Sequence, residues 1–192
     1  MTRNMTLATA LWGTNSALRF GALMVAGIMI LAISAKIAVP MWPAPITMGT
    51  FAVLALGAAY GPKLGMATIL GYMAVGALGF DVFAGTGGAV NGLAYMMAGT
   101  GGYLFGFVLA TMLLGYGATR GWDRSVWKMA GLLLAANALI YVPGLAWLMQ
   151  LYGWEISKAV ELGMLPYLVG DAVKLALVAL LLPGLWKLLK GK

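Results

Sequence analysis

Gly170-Asp-Ala-Val-Lys-Leu-Ala-Leu-Val-Ala-Leu180 opens the last long apolar run of the chain and carries an acid, Asp171, and a base, Lys174, into it. Charges at membrane depth are costly to desolvate, and they are kept where they face a protein interior or a wet cavity. At i and i+3 on a helix the two side chains project from one face, where they can pair or grip a polar small molecule. An ionised Asp only accepts hydrogen bonds, which suits N–H donors of an amide or urea, and Lys suits a carboxylate. A structural ion pair or snorkelling helix-end anchors would be the blander account of the same two residues.

The rest of the chain supports a membrane setting. Of 192 residues, 62% are hydrophobic and 9% charged, and the mean hydropathy is +0.94; soluble domains are roughly 25% charged. Apolar stretches near the roughly 20 residues of a spanning helix recur, without the alternation of an outer-membrane barrel, so the fold class is an all-α integral membrane protein. Met1-Thr-Arg-Asn-Met-Thr-Leu7 is short and polar, and the run after Arg19 has no small-residue cleavage site, so it reads as a retained first helix. Cys and His are absent, which removes disulfides, thiol nucleophiles, histidine bases and Cys/His metal sites; no metal or cofactor is expected.

Breaks at Pro, Gly and charge clusters divide the chain into six spans, at about 17–38, 48–60, 64–80, 99–118, 126–151 and 166–189, forming one membrane domain. Pro143 is expected to kink the fifth. Basic residues accumulate on cytoplasmic loops. With both termini inside, Arg3, Arg19, Lys63, Arg120, Arg124, Lys128, Lys187, Lys190 and Lys192 share the cytoplasmic side, and only Lys36, Lys158 and Lys174 lie outward. The net charge of +7 thus belongs to membrane topology rather than to nucleic acid.

This topology gathers three loops on the outer face: Val39-Pro-Met-Trp-Pro-Ala-Pro-Ile-Thr47, the Gly-rich Asp81 to Asn91, and Tyr152 to Gly170. Irregular backbone at membrane depth is tolerated where it is buried or lines a cavity, so their convergence predicts a lidded pocket for a solute taken from outside. Lys36 at the outer end of the first span is either a snorkelling anchor or a pocket residue. Asn91 is a loop candidate, whereas Asn137, mid-span, reads as an interhelical hydrogen-bond partner. Trp42, Tyr141, Trp147, Tyr152 and Trp154 read mainly as an interfacial aromatic belt, with one or two free to stack on a ligand. Gly99-Thr-Gly-Gly-Tyr103 is not a phosphate loop, since no Gly-x-x-x-x-Gly-Lys-Ser/Thr occurs. Ala22-x-x-x-Ala26, Gly57-x-x-x-Gly61 and Gly102-x-x-x-Gly106 allow close helix packing.

At Val39-Pro-Met-Trp-Pro-Ala-Pro-Ile-Thr-Met-Gly-Thr-Phe51, Gly99-Thr-Gly-Gly-Tyr-Leu-Phe-Gly-Phe107 and Leu165-Pro-Tyr-Leu-Val-Gly-Asp-Ala-Val-Lys174 the chain resembles the BioY family, the biotin-specific S components of energy-coupling factor transporters. The resemblance implies an S-component bundle in a prokaryotic inner membrane. Such a subunit binds biotin from outside and works with a transmembrane coupling subunit and two cytoplasmic ATPases, without being an enzyme itself. It assigns Asp171 and Lys174 to the ligand, with Thr47, Gly101, Gly102 and Tyr103 in the loops around it; Asn91, Tyr141 and Lys36 complete the candidate set. Ala22 and Ala26 match the family's contact with the coupling subunit. Two departures touch the loops: Gly49 stands where the family usually has Gln, and Gly99 where it usually has Pro. Competing expectations are an S component for thiamin or riboflavin, an intramembrane lipid enzyme using Asp171, and a structural scaffold.

Overall fold

A computed structural model describes residues 5–13, 16–84 and 90–190. Arg3, Lys192 and the centre of the Gly-rich loop, 85–89, lie outside the described residues. The helices are α1 (Leu7–Trp12), α2 (Ala17–Lys36), α3 (Gly49–Ala77), α4 (Gly92–Met96), α5 (Gly101–Thr119), α6 (Val126–Tyr152), α7 (Ile156–Gly163) and α8 (Leu168–Lys190). Two 3-10 turns, Trp122–Arg124 and Leu165–Tyr167, precede α6 and α8.

Five helical stretches among the described residues are long and apolar enough to cross a membrane. One of them, α3, is two arms. Gly61 within it has φ 77° and ψ −175°, which is not helical, and Pro62 follows. Eight residues of continuous helix rise about 12 Å, yet a Cβ added to Gly65 would lie 3.6 Å from the Gly57 Cα. The chain therefore doubles back at Gly61, and counting the arms separately gives six membrane segments. A left-handed φ is available at little cost only to glycine, so other residues would be strained there.

The long Pro-rich loop is more ordered than its prolines suggest. Strands β1 (Ala38–Val39) and β2 (Ile46–Thr47) pair antiparallel, with Ala38 opposite Thr47 and Val39 opposite Ile46. Pro40, Pro43 and Pro45 all fall between the strands, where no ladder N–H is required. Helix α7 was not anticipated in the outer 152–170 segment; Ala159 and Gly163, four apart, form its buried side. Helix α6 runs through Pro143 to Tyr152 as one element.

The bundle is centred on α3, α5 and α6, with α8 against α3 and α6 and with α2 against α3. Leu54, Ala58, Ala110, Leu114, Leu133, Ala136, Val178 and Leu182 form the main core. In lipid the hydrophobic effect does not hold helices together, and close approach through small residues replaces it. On α5, a Cβ on Gly102 would meet the Pro143 carbonyl oxygen at 2.3 Å, and one on Gly106 the Ile140 Cα at 2.6 Å. The α5 and α6 backbones thus touch along the Gly102-x-x-x-Gly106 stripe. Ala22, by contrast, faces outward from α2, and Ala26 is half-buried.

The α5–α6 turn buries Asp123 completely. Its Oδ2 accepts from the Trp186 indole at 2.5 Å, and the Arg124 guanidinium lies 4.4 Å from that ring's centroid. Burial raises the Asp123 carboxyl from 3.8 to about 6, although the Trp186 hydrogen bond and the Arg124 charge oppose it. A carboxyl whose folded pKa is raised favours folding most below the unfolded value, and that contribution is lost as pH rises through about 6. The lift corresponds to on the order of 3 kcal/mol. Thermal unfolding of the detergent-solubilised protein is expected to show stability falling between about pH 4 and pH 7. Asp123→Asn, which keeps an acceptor for Trp186, should flatten that fall; an unchanged slope would exclude Asp123 as its source.

Candidate functional site

Helix α8 begins just after the Leu165–Tyr167 turn and places Asp171 in its first turn. One helical step later Lys174 returns to the same face, and both are almost enclosed, at 5% and 6% exposure. Lys174 Nζ lies 3.3 Å from Asp171 Oδ1. The second carboxylate oxygen is held by α6: Tyr141 donates its hydroxyl to Asp171 Oδ2 at 2.5 Å, and Asn137 donates Nδ2 at 3.2 Å. Asn137 and Tyr141 are spaced i and i+4, so a single face of α6 presents both donors. A carboxylate bonded this way stays oriented, since each of its oxygens has a partner.

Two side chains of this cluster keep open polar valences. Lys174 spends one of its three protons on Asp171. Asn137 points Nδ2 at the carboxylate, which leaves Oδ1 buried with no hydrogen-bond partner among the described residues. An unpaired buried acceptor costs free energy unless something supplies a donor.

These four side chains form the polar wall of a cavity. Opposite elements supply an aromatic wall: Tyr72 from α3, Phe83 after it and Tyr95 from α4. Phe83 stacks on Tyr95 at 4.8 Å, and Tyr72 meets Phe83 edge-on at 5.3 Å. Thr47, Thr50 and Thr100 add hydroxyls, and Ala44, Pro45 and Ile46 of the Pro-rich loop complete the lining. Tyr167 pins that loop by donating to the Ala44 carbonyl at 2.5 Å. Tyr103 donates to the Gly163 carbonyl at 2.7 Å, fastening α7 to α5. Outside, Trp42 packs on Tyr152 and Trp154 with ring centroids 5.4 and 5.2 Å away.

Of the residues expected in the site, Asp171, Lys174, Thr47, Tyr103 and Tyr141 line this cavity. Gly101 and Gly102 do not. A Cβ on Gly101 would strike the Met96 carbonyl at 2.1 Å, and Gly102 is closed off by α6, so these glycines set packing rather than face the space. Asn91 precedes α4 and is exposed. Lys36 points to the outer surface, where it pairs with Asp81 at 2.5 Å and ties the end of α2 to the loop after α3.

Tyr141 departs from the aromatic-belt reading, being buried and bonded to Asp171. Asn137 makes the interhelical bond expected of it and also reaches the cavity. The aromatic wall of Tyr72, Phe83 and Tyr95 was missed. Its only trace in the sequence is a Tyr inside each of two apolar runs and a Phe beside the Gly-rich loop.

Comparison with known proteins identifies the family of the chain. The family model described as the BioY family matches residues 4–191. The probable biotin transporter BioY of Pyrococcus horikoshii is 40% identical over 78% of this chain and 85% of its own. The biotin transporter BioY of Thermotoga maritima is 33% identical over 83% of this chain and 90% of its own. The crystal structure of the S-component for biotin from an ECF-type ABC transporter superposes with a TM-score of 0.77 at 18% identity, covering 91% of this chain and 95% of that one, and so has the same fold. With a family match spanning almost its whole length and a shared fold, the chain belongs to the BioY family.

Proposed function

We propose that this multi-pass protein of a prokaryotic cytoplasmic membrane is the biotin-binding subunit of a vitamin uptake system. The observation that carries the reading is the buried cluster of Asp171, Lys174, Asn137 and Tyr141 on one wall of an otherwise apolar and aromatic cavity. Pockets of this composition use a few placed polar groups for orientation and apolar surface for contact. Biotin has the complementary chemistry: ureido N–H donors and a carbonyl, an apolar bicyclic ring with a methylene tail, and a terminal carboxylate. Asp171 and the open Asn137 Oδ1 accept N–H groups, and Lys174 offers protons to a carbonyl or carboxylate oxygen. The aromatic wall covers the apolar ring and tail.

Nothing in this set performs chemistry on the ligand: the site binds and releases. Energy comes from partners, in keeping with the lack of a Walker sequence. A transmembrane coupling subunit and two cytoplasmic ATPases fill that role, with α2 offering Ala22 and Ala26 to the coupling subunit along an exposed apolar stripe that includes Leu18, Val25 and Met29.

Purified protein is expected to bind labelled biotin one to one, with unlabelled biotin displacing it and thiamin or riboflavin failing to do so. Displacement by either other vitamin at equal concentration would reassign the ligand, and absence of saturable binding would overturn the reading. Uptake into vesicles should stop when the partner ATPases are inactivated. Tyr141→Phe removes one of the two α6 donors to Asp171 Oδ2, a bond to a charged acceptor worth about 1.5–3 kcal/mol. Biotin affinity should fall by roughly tenfold to a hundredfold in this variant, as read by equilibrium dialysis.

A further inference from the structure

A second cavity, of about 410 Å³, lies at the other end of the molecule, between α1, α2 and the tip of the α3 hairpin. The charge pattern puts it on the cytoplasmic side, far along the chain from the polar cluster of α8. Arg19 and Lys63 stand among its lining residues, together with the hydroxyl side chains of Thr9 and Ser16, and among the described residues no acidic one does. Phe20 and Leu23 continue the lining as an apolar wall along α2.

We infer that this cavity holds the headgroup of an anionic phospholipid of the cytoplasmic leaflet. Charge complementarity is the first argument. Both cationic side chains are exposed at the cavity, and Arg19 uses one nitrogen on the Trp12 carbonyl at 2.8 Å while a guanidinium carries five N–H donors. The one acid of the cytoplasmic face, Asp123, is fully buried and bonded to Trp186, so it does not neutralise them. Position is the second argument. Phe20 and Leu23 of α2 line the cavity and Phe20 is 42% exposed, so acyl chains can descend along them while the phosphate meets Arg19 and Lys63. A soluble anion would use the cations but gain nothing from that apolar wall. Basic residues beside a leaflet attract anionic lipid with about 1 kcal/mol each.

The test is native mass spectrometry of the full chain, extracted in neutral detergent and given phosphatidylglycerol or phosphatidylcholine. One phosphatidylglycerol per chain is expected to persist where phosphatidylcholine is lost. Arg19→Gln with Lys63→Gln should lower that retention by about tenfold or more. The charge-conserving pair Arg19→Lys with Lys63→Arg should preserve it. Lys128→Gln with Lys187→Gln, which removes the same charge elsewhere on this face, should also leave it unchanged. Equal retention of both lipids by the unaltered chain overturns the inference whatever the variants do. It is equally overturned if the Arg19/Lys63 glutamine variant, shown folded by biotin binding, retains phosphatidylglycerol as before, or if millimolar inorganic phosphate displaces the lipid, which would make the site one for a free anion.

Discussion

Replacing Asp171 with alanine is expected to reduce biotin affinity by at least a hundredfold. The carboxylate sits between Lys174 at 3.3 Å and two α6 donors, Tyr141 at 2.5 Å and Asn137 at 3.2 Å. Its removal leaves a cation buried to 6% exposure without its counter-ion, and it orphans a hydroxyl and an amide at the same time. Breaking one side of a buried pair costs about 3–5 kcal/mol, far more than the pair itself contributes over an apolar replacement. Part of that cost falls on stability and part on ligand binding, and a double variant separates them. Asp171→Ala with Lys174→Met removes the uncompensated charge, so thermal stability should recover while affinity does not. If affinity recovers along with stability, the pair is a structural clasp and not a ligand contact. Biotin affinity of Asp171→Ala within threefold of the parent would remove Asp171 from the site altogether.

The second large effect is expected from alanine at Gly106 or Gly102. A single methyl at Gly106 would stand 2.6 Å from the Ile140 Cα and 2.7 Å from its carbonyl oxygen, and one at Gly102 would stand 2.3 Å from the Pro143 carbonyl oxygen. These are backbone atoms of α6, which cannot rotate away as a side chain can, so α6 itself has to move. Overpacking of this kind costs about 1–3 kcal/mol. The displaced segment carries Asn137, Ile140 and Tyr141, all in the cavity lining. Lower unfolding temperature and weaker biotin binding should therefore appear together. Gly131→Ala on the facing helix α6 is the control, because nothing lies within 4 Å of a Cβ there and its stability and affinity should stay near those of the parent. Loss of stability in Gly131→Ala equal to that in Gly106→Ala would attribute the effect to glycine loss in general, not to the α5–α6 contact.

What the residues state locally was readable. Membrane insertion follows from apolar runs of spanning length. The reversal between the second and third spans is written in Gly61-Pro62, because a left-handed φ followed by a residue without an N–H cannot continue a helix. The functional pair was conspicuous for the same local reason: two ionised groups inside a membrane helix demand partners wherever the helix is placed. Those features are set by covalent geometry and by solvation, residue by residue.

Which faces meet was decided only by tertiary structure. In a soluble helix, polar and apolar stripes reveal the buried side, but lipid is as apolar as the interior, so a membrane helix has little such contrast. Tyr72, Tyr95 and Tyr141 sit in runs that look alike from every direction, and only the assembled bundle turns them into a cavity. Gly101 and Gly102, which the family resemblance puts in the loops around the ligand, have the space of their missing Cβ atoms taken by neighbouring backbone. Local sequence required that Asp171 and Lys174 be sheltered together; the packing of α6 on α8 selected Tyr141 and Asn137 to shelter them, because that contact joins residues 30 and 34 positions apart that no local rule connects.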